Sequence, residues 1–270
     1  MTATTQVPEK RTPMPPRIDE QTGSGIPFTR LVSLELRKLT DTRAGRVLIL
    51  VTIALVIGVG LIGTFSGKAT QDKDLNDFLA LGSLPLQMLL PLLGVLAVTS
   101  EWSQRTGLVT FTLEPRRSRV AFGKWAAALV LGLAGVVLAA VSSLAFTALA
   151  DALRDSNPSW DLSWQVLLGT VLGQLLYMSI GVAFGMLIQN TPGAVVAFLI
   201  LPTLWSILGS FSWAESVAHW ADTNRTLSPL YDGTMQGDDW AKLLVSLLIW
   251  LALPMIVGIW RMTHSEVKSA

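Results

Sequence analysis

The sequence predicts an all-α integral membrane protein, with six transmembrane helices preceded by an amphipathic helix in the membrane interface. Three observations lead there. Of 270 residues, 51% are apolar and only 14% charged, against about a quarter charged in soluble domains. Mean hydropathy is +0.51. Six long apolar stretches then follow one another, none with a charge in its interior; Lys242 stands near the start of the sixth. A soluble helical core would need charged outer faces on such helices. Cysteine is absent, which excludes disulfides and thiolate sites, and two histidines, His219 and His264, cannot make a His-rich metal site. Net charge is +1, so the chain as a whole is no polyanion binder.

Taken in order, residues 1–26 hold Pro8, Pro13, Pro15 and Pro16 among Thr, Gln, Glu and Arg. That composition cannot bury a core and reads as a disordered arm, without the apolar segment of a signal peptide. Phe28 to Gly45 follows as an amphipathic segment. Phe28, Leu31, Val32, Leu36 and Leu39 form its apolar stripe, and Arg30, Glu35, Arg37, Lys38, Asp41 and Arg43 its polar face. It reads as a helix lying in the interface, with Gly45 at the turn into the membrane. The spans are expected at about 47–65, 79–99, 125–150, 164–188, 193–211 and 240–260, with a tail at 263–270. The first has nineteen residues, about 28 Å of helix against a hydrocarbon core of about 30 Å. The second contains Pro85 and Pro91 and is expected to be kinked or broken.

Fifteen Lys and Arg fall on the side of the termini and the loop between spans two and three, and five on the other side, whose loops are acidic. This places both termini in the cytoplasm. Trp125, Trp160, Trp164, Trp213, Trp240 and Trp260 fall at expected span ends and read as interfacial anchors. Arg outnumbers Lys thirteen to seven, a bacterial, GC-rich signature that places the protein in a bacterial plasma membrane.

Chemistry is sparse. Glu215 and His219 share a helix face but have no third ligand nearby. Around them Trp213, Ala214, Val217 and Trp220 form an apolar stripe of an outer interfacial helix. The run from Gly63 through Gly67 and Lys68 imitates a phosphate loop. It has one residue too few between its glycines and Ala69 where Ser or Thr would hold magnesium, so it reads as a span end. No catalytic, cofactor or metal residue is assigned. The spans offer only uncharged polar groups. Gln87, Gln174 and Tyr177 are candidates to line a pathway or, equally, to glue helices together. Without intramembrane ionisable groups, proton or sodium coupling is disfavoured. A paired acid or His-based site for a membrane enzyme is missing too.

The loop after span two mixes Trp102, Leu108, Phe111 and Leu113 with charges of both signs, a composition suited to docking another protein. Its pattern is Ser100-Glu101-Trp102, then Thr106, Thr110 and Phe111, then Pro115-Arg116-Arg117, Arg119 and Lys124. Together with Glu35-Leu-Arg37-Lys38-Leu before span one, it resembles the permease subunit of type-2 ATP-binding-cassette (ABC) transporters, as does the order of parts over roughly residues 28–262. The resemblance implies a type-2 ABC exporter-like fold that pairs as a homo- or heterodimer around a pathway. It implies a separate ATPase subunit that binds ATP and Mg and docks on the interface helix (Phe28, Leu31, Glu35, Arg37, Lys38) and on the coupling loop. On that loop Glu101 would be the acidic contact, with Trp102, Arg105, Thr106, Phe111, Pro115, Arg116 and Arg117 around it. Trp213, Val217 and Trp220 would belong to an outer re-entrant element. The implied activity is export of a drug, lipid or other small amphipathic substrate, with no nucleic-acid partner. A membrane scaffold or immunity protein and an ion-coupled transporter are the rival readings.

Overall fold

The structure, a computed structural model, describes residues 27–66, 73–103, 116–154 and 157–264, and among these no strand occurs. The expected arm at 1–26, Gly67 and Lys68, and the loop residues Arg105, Thr106, Phe111 and Pro115 lie outside the described residues.

Helix α1 (Phe28–Asp41) leads into α2 (Arg43–Phe65), α3 (Leu75–Ser103), α4 (Arg117–Arg154), α5 (Trp164–Ile188) and α6 (Thr191–Leu208). Two short helices, α7 (Glu215–Ala221) and α8 (Thr223–Tyr231), precede α9 (Asp238–Leu247). A π-helical turn at Leu248–Ala252 joins α9 to α10 (Leu253–His264). Six helices are long and apolar enough to cross a membrane: α2, α3, α4, α5, α6, and the α9–α10 unit, which counts as one. This is the architecture of a multi-pass membrane protein.

The boundaries have local causes. Thr42 breaks α1 from α2 and its hydroxyl accepts from the Gly45 amide at 3.1 Å. Gly45 is needed three residues past that break: a Cβ there would stand 1.8 Å from the Leu39 carbonyl oxygen. Ser163 and Asn190 cap α5 and α6 through the amides of Val166 and Gly193. The π turn is closed by the Leu253 amide on the Leu248 carbonyl. Pro254 follows it directly and brings no amide hydrogen to the ladder.

α3 and α5 are the centre of the bundle, with 61% of each apolar window buried; α6, at 11%, lies at its edge. Small residues let the central pair close up. A Cβ on Gly181 would meet the Pro91 carbonyl oxygen at 2.3 Å, and one on Gly94 the Met178 carbonyl oxygen at 3.1 Å. α3 runs as one helix through both prolines rather than breaking at them. Gln174, fully buried, donates to the Leu86 carbonyl at 3.4 Å, so its amide bridges α5 to α3 as packing glue.

At the end of the bundle away from α1, the segment expected to hold one helix around Trp213 to Trp220 carries two short ones, α7 and α8. Asp222 organises it from a buried position. One carboxylate oxygen accepts from the Asn224 amide at 3.0 Å and caps α8; the other accepts from the Ser206 hydroxyl at 2.8 Å and lies 3.6 Å from Arg225. Asp222→Ala removes a cap and a charge-assisted bond together, with an expected loss of about 2–4 kcal/mol. Thermal unfolding in detergent, with faster proteolytic cutting between α6 and α9, is the check.

Candidate functional site

Helix α1, the end of α3 and the start of α4 meet in a buried charge cluster. Lys124, 1% exposed, is its centre. Its Nζ donates to Glu35 Oε2 at 2.8 Å and to the Ala97 carbonyl at 2.9 Å, and lies 3.0 Å from Glu101 Oε1. Lys38 Nζ donates to Glu35 Oε1 and to Glu101 Oε1, each at 2.8 Å. Two lysines and two carboxylates therefore cancel, which is the condition for keeping such charges out of water. The four residues come from three elements: Glu35 and Lys38 from α1, Glu101 from the last turn of α3, Lys124 from the third turn of α4.

The backbone brings them together for simple reasons. Glu35 lies on the same helix face as Leu31 and Leu39, at i±4, and all three are buried. Leu31 sits on Gly123, where a Cβ would come within 2.9 Å of its side chain. That contact sets α1 against the start of α4, one residue before Lys124. Burial pulls the Lys38 pKa down, but the charge of Glu35 and the hydrogen bonds to Glu101 and Glu35 outweigh it, so the pKa ends above the ordinary lysine value. Lys38 is therefore charged at neutral pH.

Two expectations change here. Glu35 was expected on the polar face of the amphipathic helix; it faces inward, because the cationic partners that make burial tolerable stand there. Glu101 was expected as an outward contact of the loop; it is 7% exposed and bonded within the chain. Lys124 was expected only to mark the start of a span, and its part in the site was missed. The available signal was a lysine directly before an apolar run, paired with a lone Glu at i+4 of an apolar stripe. Phe28, the first residue of α1, is 42% exposed, and Arg37 faces outward on the side of α1 opposite the buried stripe. Arg116 is exposed at the threshold of α4, and Arg117 donates to the Met262 carbonyl at 3.3 Å, tying α4 to α10. Trp102 lies in the last turn of α3.

The other candidates fall elsewhere. Gln87 is half-buried on α3. The Tyr177 hydroxyl pairs with Asn224 Oδ1 at 3.0 Å and its ring stacks on Tyr231 at 6.5 Å, so it ties α5 to α8 at the far end. Trp213, Val217 and Trp220 are exposed, while Ala214 and Ala218 turn inward; the expected stripe divides between two faces. Glu215 and His219 stand 3.8 Å apart, both exposed. Trp160, Trp164, Trp213, Trp240 and Trp260 face outward, whereas Trp125 is half-buried. α4 begins eight residues before it, and its indole donates to the Ser179 hydroxyl at 2.9 Å.

No family model matches the chain, and no curated protein matches it.

Proposed function

We propose that the chain is the permease subunit of an ABC transporter, forming a substrate pathway with a second permease copy and driven by a separate ATPase subunit. The observation that carries this reading is the charge cluster joining α1, the end of α3 and the start of α4. These are the roots of the loop at residues 104–115 and the helix that precedes the first span. A partner pressing on α1 or on the loop would move both together, and through α3 and α4 the centre of the bundle. The outward Arg37 offers that partner a cationic contact on α1. The sparsely buried α6 supports a second copy alongside the first. By the resemblance the cargo is a small amphipathic molecule moved outward, and the short segments between the spans argue against one that needs a large binding domain.

The test is purification of the tagged chain from its native membranes, with nucleotide present, followed by identification of what accompanies it. The expected result is an ATPase bearing a phosphate-binding loop, lost on Arg105→Glu with Phe111→Ala while thermal unfolding stays that of the parent. Glu101 is unsuitable for this purpose, because its replacement would disturb the buried cluster. A folded protein that reproducibly brings no ATPase overturns the mechanism in favour of a membrane scaffold.

A further inference from the structure

α3 is central to the bundle and yet open along the half away from α1. Ala80, Leu84 and Met88 are exposed there and Gln87 is half-buried, with Leu84 at 57% and Met88 at 58%. Standing at i, i+4, i+7 and i+8, the four share one helix face. The other faces of α3 are covered. A Cβ on Gly82 would stand 3.2 Å from Ser142 Oγ of α4, and one on Gly63 of α2 would stand 2.9 Å from Leu81. The open stripe ends at Pro91, which lies against Gly181 of α5.

Gln87 is the polar member of that stripe. It lies twelve residues after Leu75 in the 27-residue span Leu75–Glu101, about 18 Å along the helix and so near the middle of a hydrocarbon core of about 30 Å. Its carboxamide makes no hydrogen bond among the described residues. Other polar groups in the spans are paired. Gln174 is buried on the Leu86 carbonyl, and the hydroxyls of Thr52, Ser83, Thr99, Thr170 and Ser179 donate to the carbonyl four residues before. An unpaired amide facing hydrocarbon is costly until a neighbouring helix supplies a donor and an acceptor. A carboxamide carries both, so across a two-fold axis it is complementary to itself. Leu84 and Met88 beside it supply the apolar surface that seals such a pair from lipid. α6, the least buried span, packs beside α3 and widens the same side.

We infer that this face of α3 is where a second copy of the chain docks, with Gln87 of each copy hydrogen-bonded to the other across the two-fold axis. The inference rests on the reading of the chain as a permease that pairs, and names the contact.

The chain has no cysteine, so single cysteines report on the contact without background. In membranes treated with copper phenanthroline, Gln87→Cys is expected to give a disulfide-linked dimer of this chain. Val137→Cys is expected to give none; it is 62% exposed on α4, the helix that covers the opposite face of α3. In liposomes, subunit counting by photobleaching against lipid dilution should find the Gln87→Leu dimer about fivefold weaker than the parent, the loss of one interhelical amide pair. Its melting midpoint in detergent should not fall, because Gln87 bonds nothing within its own chain. Equal cross-linking at both positions overturns the contact, as does a Gln87→Leu chain that dimerises like the parent. So does a cross-link to a different protein, or rapid labelling of Gln87→Cys by a water-soluble maleimide in place of cross-linking, which would assign Gln87 to an aqueous pathway. Subunits that count as pairs without a cross-link at Gln87→Cys overturn this contact alone. A parent chain that bleaches in single steps at every dilution overturns the pairing in the proposed function as well.

Discussion

Lys124→Met is expected to destabilise the protein by about 3–5 kcal/mol, the cost of leaving buried carboxylates without their partner. Lys124 is among the largest fully buried side chains, and Glu35 and Glu101 both lie against its ammonium. After the substitution one lysine, Lys38, faces two carboxylates inside the protein. The melting midpoint in detergent should fall by on the order of 10 °C, and α1 should become the first element cut by protease. The double variant Lys124→Met with Glu35→Gln restores neutrality, leaving Lys38 and Glu101 as a pair. It should recover a substantial part of the loss. A double variant no more stable than Lys124→Met would show that the lysine stem matters for packing and its charge does not.

Gly181→Leu is expected to prevent the bundle from closing. The obstacle is backbone, the carbonyl of Pro91, with its oxygen 2.3 Å and its carbon 2.9 Å from where a Cβ would stand. A flexible side chain could rotate away; a carbonyl inside a helix cannot, so α3 and α5 would have to part along the middle of the bundle. The expected result is loss of monodisperse protein on size exclusion in detergent. Gly58→Ala is the matched control, since nothing lies within 4 Å of its added methyl. It should be neutral or gain up to about 1 kcal/mol from helix propensity. If the two behave alike, the close approach of α3 and α5 is not what the bundle depends on.

The readable part of this fold is the part that lipid dictates. A helix crossing hydrocarbon must satisfy its own backbone and exclude charge from its interior, so each span leaves an apolar run that one-dimensional inspection can find. The caps at Ser163 and Asn190 are equally local, each needing only a side-chain oxygen and an amide three residues on. The end of α2 at Phe65, beside the run that imitates a phosphate loop, is local as well. α4 runs on from Arg117 through the expected start of the third span, and Lys124, the charge that seemed to end the apolar run, is neutralised within it by Glu35 and Glu101. Between α6 and α9 the second short helix, α8, was not anticipated, because its start is set by Asp222, which reaches back to Ser206 on α6.

The candidate site was legible in outline and misassigned in detail. Glu35, Lys38 and Glu101 could be singled out as charges in an unusual setting, but burial is a property of pairs. Glu35 and Lys124 are 89 positions apart, and nothing along the chain says that they touch. Composition and periodicity alone determined that the chain is helical, with six helices long and apolar enough to cross a membrane and a further helix before the first. Only the tertiary structure decided which charges face inward, which helices form the centre, and that α1 is fastened to the roots of the loop. The reason is physical: hydrophobicity acts residue by residue and leaves its trace in sequence order, whereas electrostatic neutralisation and close packing act between residues that only folding brings together.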